Sequence, residues 1–130
     1  MAVRASELIV ITKAKDLCAY VLESTEKSPK RFRFTLSGRM QNLALELIEQ
    51  TYRANEVFVQ GEERAAAQVK RLDLQHGALT SVKLLAYMAL LARGQGCLLP
   101  KQYEHIAQLA SDCQNLLGAW IISDRKRNGA

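Results

Sequence analysis

Breakers are scarce in this chain: two prolines and seven glycines among 130 residues. So little punctuation favours a few long helices over many short strands. Apolar residues at helical spacing divide the chain into four segments. The first covers roughly residues 6–27, with Leu8, Ile11, Leu17, Cys18, Val21 and Leu22 on its apolar side. Ser28-Pro29 ends it, because a residue before proline is pushed out of the α region. The second covers roughly 33–59, with Leu36, Met40, Leu43, Leu47, Ala54 and Phe58 as its buried face and Gly61 as a left-handed cap. The third covers roughly 62–93 on a stripe of Leu72, Leu79, Val82, Leu85, Ala86 and Ala89. Glu62, Glu63 and Arg93 complement its dipole, and His76-Gly77 is a place for a kink. The fourth covers roughly 100–124, from Pro100 along Ile106, Leu109, Cys113, Leu116, Leu117, Trp120 and Ile121.

Connections of a few residues make sequential helices antiparallel neighbours. The expectation is an all-α fold, an up-down-up-down four-helix bundle, with residues 1–130 as a single domain. Phe32-Arg33-Phe34-Thr35 alternates like a strand, too briefly to change that class. No apolar run approaches the roughly 18 residues of a membrane span, so no membrane partner is expected. Leu8–Ile11 is too short for the apolar region of a signal peptide. Cys18, Cys97 and Cys113 are odd in number and form no CxxC pair, which reads as reduced thiols in a cytoplasmic protein.

Charge is distributed unevenly. Lys and Arg number 18 against 13 Asp and Glu, and the pI is near 9.3. The whole excess fits in one stretch, Lys27–Arg39, where Lys27, Lys30, Arg31, Arg33 and Arg39 stand without an anion. It falls between the first and second helical patterns. Such a cluster attracts polyanions, nucleic acid first, through counterion release with little base preference. Phe32 and Phe34 sit between the cations; they could stack on bases, or act as staples that seat the second helix on the first. A second cluster, Arg125, Lys126 and Arg127, closes the fourth helix. In an up-down bundle it lies at the other end from the first.

Catalytic chemistry finds little to stand on. A di-metal bundle site needs Glu-x-x-His on two helices, but Asp73-x-x-His76 is a poor half-match and Gln102 precedes His105. Glu46 and Glu49 read as solvating the second helix. Cys97, His105 and Cys113 lack the paired spacing of zinc ligands, so no metal and no cofactor is expected. No nucleophile elbow or phosphate loop is present. One rival remains: Arg71-Leu-Asp-Leu-Gln-His76 fits the Arg-x4-His spacing of HEPN-type ribonucleases, with His76 as acid or base and Arg71 as charge stabiliser. The plain alternative makes Arg71 a surface arginine and His76 a partly buried histidine.

Three stretches carry a wider resemblance. Leu8-Ile-Val-Ile-Thr-Lys-Ala-Lys-Asp-Leu, Arg31-Phe-Arg-Phe with its following helix, and Leu116-Leu-Gly-Ala-Trp-Ile-Ile-Ser-Asp-Arg-Lys-Arg are similar to the small bacterial "four helix bundle protein" family. That family includes proteins encoded in 23S ribosomal RNA intervening sequences and the accessory variability determinant (Avd) of diversity-generating retroelements. The resemblance implies a homopentameric barrel that binds RNA or DNA and, in the Avd branch, a reverse transcriptase, supporting mutagenic cDNA synthesis without being an enzyme. It implies no catalytic residue. The basic positions Lys27, Lys30, Arg31, Arg33, Arg39, Arg125, Lys126 and Arg127 are its candidates for nucleic-acid contact.

Overall fold

The computed structural model describes the backbone of residues 5–128 and the side chains from residue 9 onward. Leu8, assigned above to the first apolar stripe, lies outside the described side chains. Four α-helices account for most of the chain: α1 (Ala5–Glu26), α2 (Gly38–Asn55), α3 (Arg64–Gly94) and α4 (Pro100–Arg127). No strand occurs among the described residues. The segment before α2 is helical too, first a 3-10 turn over Lys30–Phe32 and then a π-helical turn over Arg33–Ser37. The strand-like alternation of Phe32–Thr35 is therefore absorbed into a wide turn.

The buried positions explain the bundle. Along α3 a seam of them, Arg71, Gln75, Ala78, Val82, Leu85, Ala89 and Ala92, is alternately four and three residues apart, with Ser81 buried beside it. Along α4 Ile106, Ala110, Cys113, Leu117, Trp120 and Asp124 repeat the same spacing. Val10, Ala14, Leu17 and Val21 do so on α1, and Met40, Ala44, Leu47, Thr51 and Ala54 on α2. A four-three alternation keeps one seam of each helix facing its neighbours, as in knobs-into-holes bundles. α1 packs on α2 and α4, and α3 packs on α2 and α4, closing a four-sided core. Trp120, fully buried, is its largest side chain.

Several boundaries and faces differ from the sequence expectation. α2 stops at Asn55, and Phe58, expected on its buried face, is 53% exposed. Val57-Phe58-Val59 leaves the helix, consistent with β-branched residues losing side-chain freedom there. Gly61 does adopt the left-handed conformation, φ 75°, but in the connection rather than at the helix end. α3 runs unbroken through His76-Gly77. Val82, Leu85 and Ala89 are buried as expected, but nearer the start of the helix Arg71 and Ala78 lie inside where Leu72 and Leu79 were expected and are only half-buried. Leu22 is likewise 43% exposed. α4 begins at Pro100 as expected, and the Gln102 side chain accepts the Leu99 N–H at 2.9 Å, supplying half of a capping box.

Contacts between connections define the two ends. The Ser28 hydroxyl donates to the Cys97 carbonyl at 2.7 Å, and Ser37 Oγ lies 3.6 Å from Cys97 Sγ. The first and third connections thus meet at one end. At the other, Arg64 donates to the Asn128 carbonyl at 3.1 Å. No helix among the described residues is long and apolar enough to cross a membrane.

Candidate functional site

The end where the first and third connections meet carries the charge. Lys27, Lys30, Arg31, Arg33 and Arg39 are all exposed. Among the described residues the one ion pair in this group is Lys27 with Glu23, at 3.8 Å and largely in solvent, where such a pair contributes little. The fold adds Arg93 and Lys101, exposed and each four residues from Cys97. Sequence reasoning did not assign them to the site. Their signal is spatial: the third connection meets the first at the Ser28–Cys97 contact.

The π turn sorts the residues of this corner. Phe32 and Leu36 pack against the core, and Ser37 is buried against Cys97. Arg33, Phe34 and Thr35 are left facing out. In this turn the Gly38 N–H bonds back to the Arg33 carbonyl, five residues earlier. That carbonyl would lie 3.0 Å from a Cβ at position 38, so the close approach suits glycine. Single π turns inside helices are frequent at functional sites.

The two phenylalanines therefore differ. Phe32 is half-buried, and the Arg31 guanidinium lies 4.5 Å above its ring. It packs against the core, which is compatible with a staple. Phe34 is 91% exposed, and among the described residues no ring or cation covers it. The staple reading fails for this residue.

Two concavities flank Arg33. One, of about 800 Å³, is lined by Arg33, Phe34, Arg39, Gln41, Asn42 and Met88 among others. The second, of about 460 Å³, includes Glu26, Ser28, Lys30, Arg33 and Gln41. Gln41 donates to the Thr25 hydroxyl at 2.8 Å, and Thr25 in turn donates to the Val21 carbonyl at 2.7 Å. The corner is thereby tied to the last turn of α1.

The other basic cluster is partly engaged. Arg127 is ion-paired with Asp124, whereas Arg125 and Lys126 project into solvent. Arg127 and Lys126 border a concavity of about 650 Å³ with Ile122. This cluster lies at the end marked by Arg64 and Asn128, so the structure does not bring it to the first corner.

The ribonuclease pair is arranged opposite to its plain alternative: Arg71 is 6% exposed and His76 is exposed. Arg71 Nε donates to Asp124 Oδ2 at 2.7 Å, and Nη1 donates to the carbonyls of Ala54 at 3.0 Å and Val57 at 3.1 Å. Its guanidinium also lies 5.3 Å from the Trp120 ring centre. These contacts hold Arg71 inside the bundle, tying α2, α3 and α4 together. Burial pushes the Asp124 carboxyl up, but the hydrogen bonds and charges of Arg71 and Arg127 outweigh it and hold the group below its ordinary 3.8.

The metal candidates are scattered. Asp73, His76, Glu46 and Glu49 face solvent, not the bundle core. Cys113 is fully buried, and His105 sits on the outside with its ring centre 4.2 Å from that of Tyr20. Among the described residues no three His, Cys, Asp or Glu side chains converge as a metal-binding group. All three cysteines are unpaired and buried.

The chain matches no family model, and no curated protein or solved structure matches it.

Proposed function

We propose that this protein is a nucleic-acid-binding accessory protein whose cationic end grips the phosphate backbone of RNA or DNA. One observation carries the reading: Lys30, Arg31, Arg33 and Arg39 are exposed at one end and, among the described residues, unpaired. Four solvated cations on a turn anchored by Phe32, Leu36 and Ser37 form a fixed surface from which counterion release supplies affinity. In this reading the helices run up-down-up-down, supported by the Ser28–Cys97 and Arg64–Asn128 contacts at the two ends.

The family resemblance extends the proposal to a homopentamer that engages a reverse transcriptase in a diversity-generating retroelement, in the cytoplasm. Exposed Leu84, Tyr87 and Leu91 at helical spacing on α3, with Leu45 and Tyr52 on α2, support association between copies. Five copies would gather a charge of about +25, from +5 per chain. A 23S ribosomal RNA intervening-sequence protein is the alternative from the same resemblance and shares the same surface. The ribonuclease alternative draws no support from an Arg71 held by Asp124. Charge reversal of Lys30, Arg31 and Arg33, read as RNA and DNA binding across a salt series, tests the proposal; retained binding by the variant contradicts it, and a parent protein that binds no nucleic acid speaks for an acidic protein partner instead.

A further inference from the structure

Phe34 is the most exposed large apolar side chain among the described residues, and it stands on the most cationic corner. Arg31 covers Phe32, whereas Phe34 is left open in a groove between Arg33 and Arg39. An exposed aromatic face flanked by cations matches one ligand chemistry closely. The guanidinium groups receive successive phosphates, and the ring receives the base between them. A base inside a duplex offers its face to its stacked neighbours, so only an unpaired or splayed-out base can occupy such a ring. Gln41, whose amide nitrogen is held by the Thr25 hydroxyl, and the exposed Asn42 line the same groove, and a side-chain amide of this kind can pair with a base edge or a sugar hydroxyl. Three inward residues, Phe32, Leu36 and Ser37, hold the turn that carries the ring.

Building on the nucleic-acid reading above, we infer that the Arg33–Phe34–Arg39 groove is a single-strand subsite that stacks one unpaired nucleobase on Phe34. Single-stranded or unpaired RNA and DNA are then its ligands, and duplex engages the corner through phosphates alone. Arg33 and Arg39 hold the backbone, and Phe34 discriminates strand state.

The test compares Phe34→Ala, Phe34→Trp and the parent protein for binding to a 20-nucleotide single-stranded oligonucleotide and to its duplex by fluorescence anisotropy. Phe34 is exposed, so both variants are expected to keep the parent's circular dichroism and melting temperature. The inference predicts about a tenfold loss for Phe34→Ala on the single strand, a change under about twofold on the duplex, and parent affinity for Phe34→Trp. Equal losses on both ligands, or no loss on either, overturn it. A parent that binds neither ligand removes the nucleic-acid reading itself, whereas a parent that binds both with Phe34→Ala unchanged removes only the stacking subsite. If Phe34→Ala leaves binding unchanged but dissociates the assembly in sedimentation, the ring belongs to a contact between copies, and the inference fails.

Discussion

Arg71 and Asp124 meet inside the bundle, with Nε 2.7 Å from Oδ2 and side chains 8% and 6% exposed. The pair joins α3 to α4 directly above Trp120 and, through the carbonyls of Ala54 and Val57, fixes the place where α2 ends. Gln75, fully buried, adds a longer bond of 3.4 Å to the same carboxylate. Removing Asp124 would strip the buried Arg71 charge of its carboxylate, and removing Arg71 would leave the buried Asp124 with Arg127 as its remaining cation. Arg71→Ala or Asp124→Ala should therefore cost about 3–5 kcal/mol in urea unfolding, whereas Arg71→Met with Asp124→Leu should recover much of that loss. A single variant within about 1 kcal/mol of the parent would show that the pair does not organise this end.

The same carboxyl sets an acid response. Its folded-state pKa lies below the ordinary 3.8, so the unfolded chain binds the proton first as pH falls. The stability it contributes is complete above that ordinary value and is lost as pH drops through the lower folded value. Urea midpoints measured from about pH 5 down to about pH 2 should fall more steeply for the parent than for Asp124→Asn. Parallel curves would mean that Asp124 is not held in its charged form.

Cys113 responds at the opposite extreme. Burial first, and then the neighbouring Asp112 charge, push its thiol up to about 12. Burial also raises Cys18. A thiol held in its neutral form does not attack disulfide reagents. Cys18 and Cys113 should resist an aromatic disulfide reagent at pH 8 and react only at the rate of unfolding. Because the folded pKa of Cys113 is raised, its contribution is complete below the ordinary value of 9.0 and is lost as pH climbs toward about 12. Rapid labelling of Cys113 in the native protein would contradict this.

Gly38 offers a test of the π turn. Glycine to alanine at a helical position ordinarily gains about 1 kcal/mol. Here the added methyl would lie 3.0 Å from the Arg33 carbonyl, part of the backbone that forms the turn. Gly38→Ala should therefore gain no stability and should weaken single-strand binding by displacing Arg33 and Phe34. A variant stabilised by the full propensity difference, with parent affinity, would show that the turn is not needed.

Much of this fold was legible in the residues. Pro29 and Pro100 mark where helices end and begin, and on α4 Ile106, Cys113, Leu117, Trp120 and Ile121 are buried as their spacing predicts, with Leu109 and Leu116 half-buried beside them. On α3 the positions of Val82, Leu85 and Ala89 were legible, but those nearer its start were not, because polar residues fill core positions there. Arg71 and Gln75 look like surface residues until Asp124, 53 residues beyond Arg71, supplies the partner. Leu72 and Leu79 attracted the assignment because hydrophobicity alone does not reveal a buried ion pair. The cationic corner was visible as charge, but the separation of Phe32 from Phe34 was not. That depends on a turn one residue wider than an α-helix, which places Phe32 against the core and leaves Phe34 in solvent. Arg93 and Lys101 join the corner only when the third connection meets the first at Ser28 and Cys97.

The central claim is that this corner binds nucleic acid by charge. Its most direct test is the affinity of Lys30→Glu/Arg31→Glu/Arg33→Glu for RNA and DNA across a salt series, with circular dichroism confirming an intact bundle. The parent's log affinity should fall linearly with log salt, and the variant should lose at least about a hundredfold in affinity, with a slope shallower by roughly 2 on single strands and roughly 3 on duplex DNA as three phosphate contacts vanish. Undiminished binding by the variant at about 150 mM salt, where the Debye length is only about 8 Å, would contradict the account.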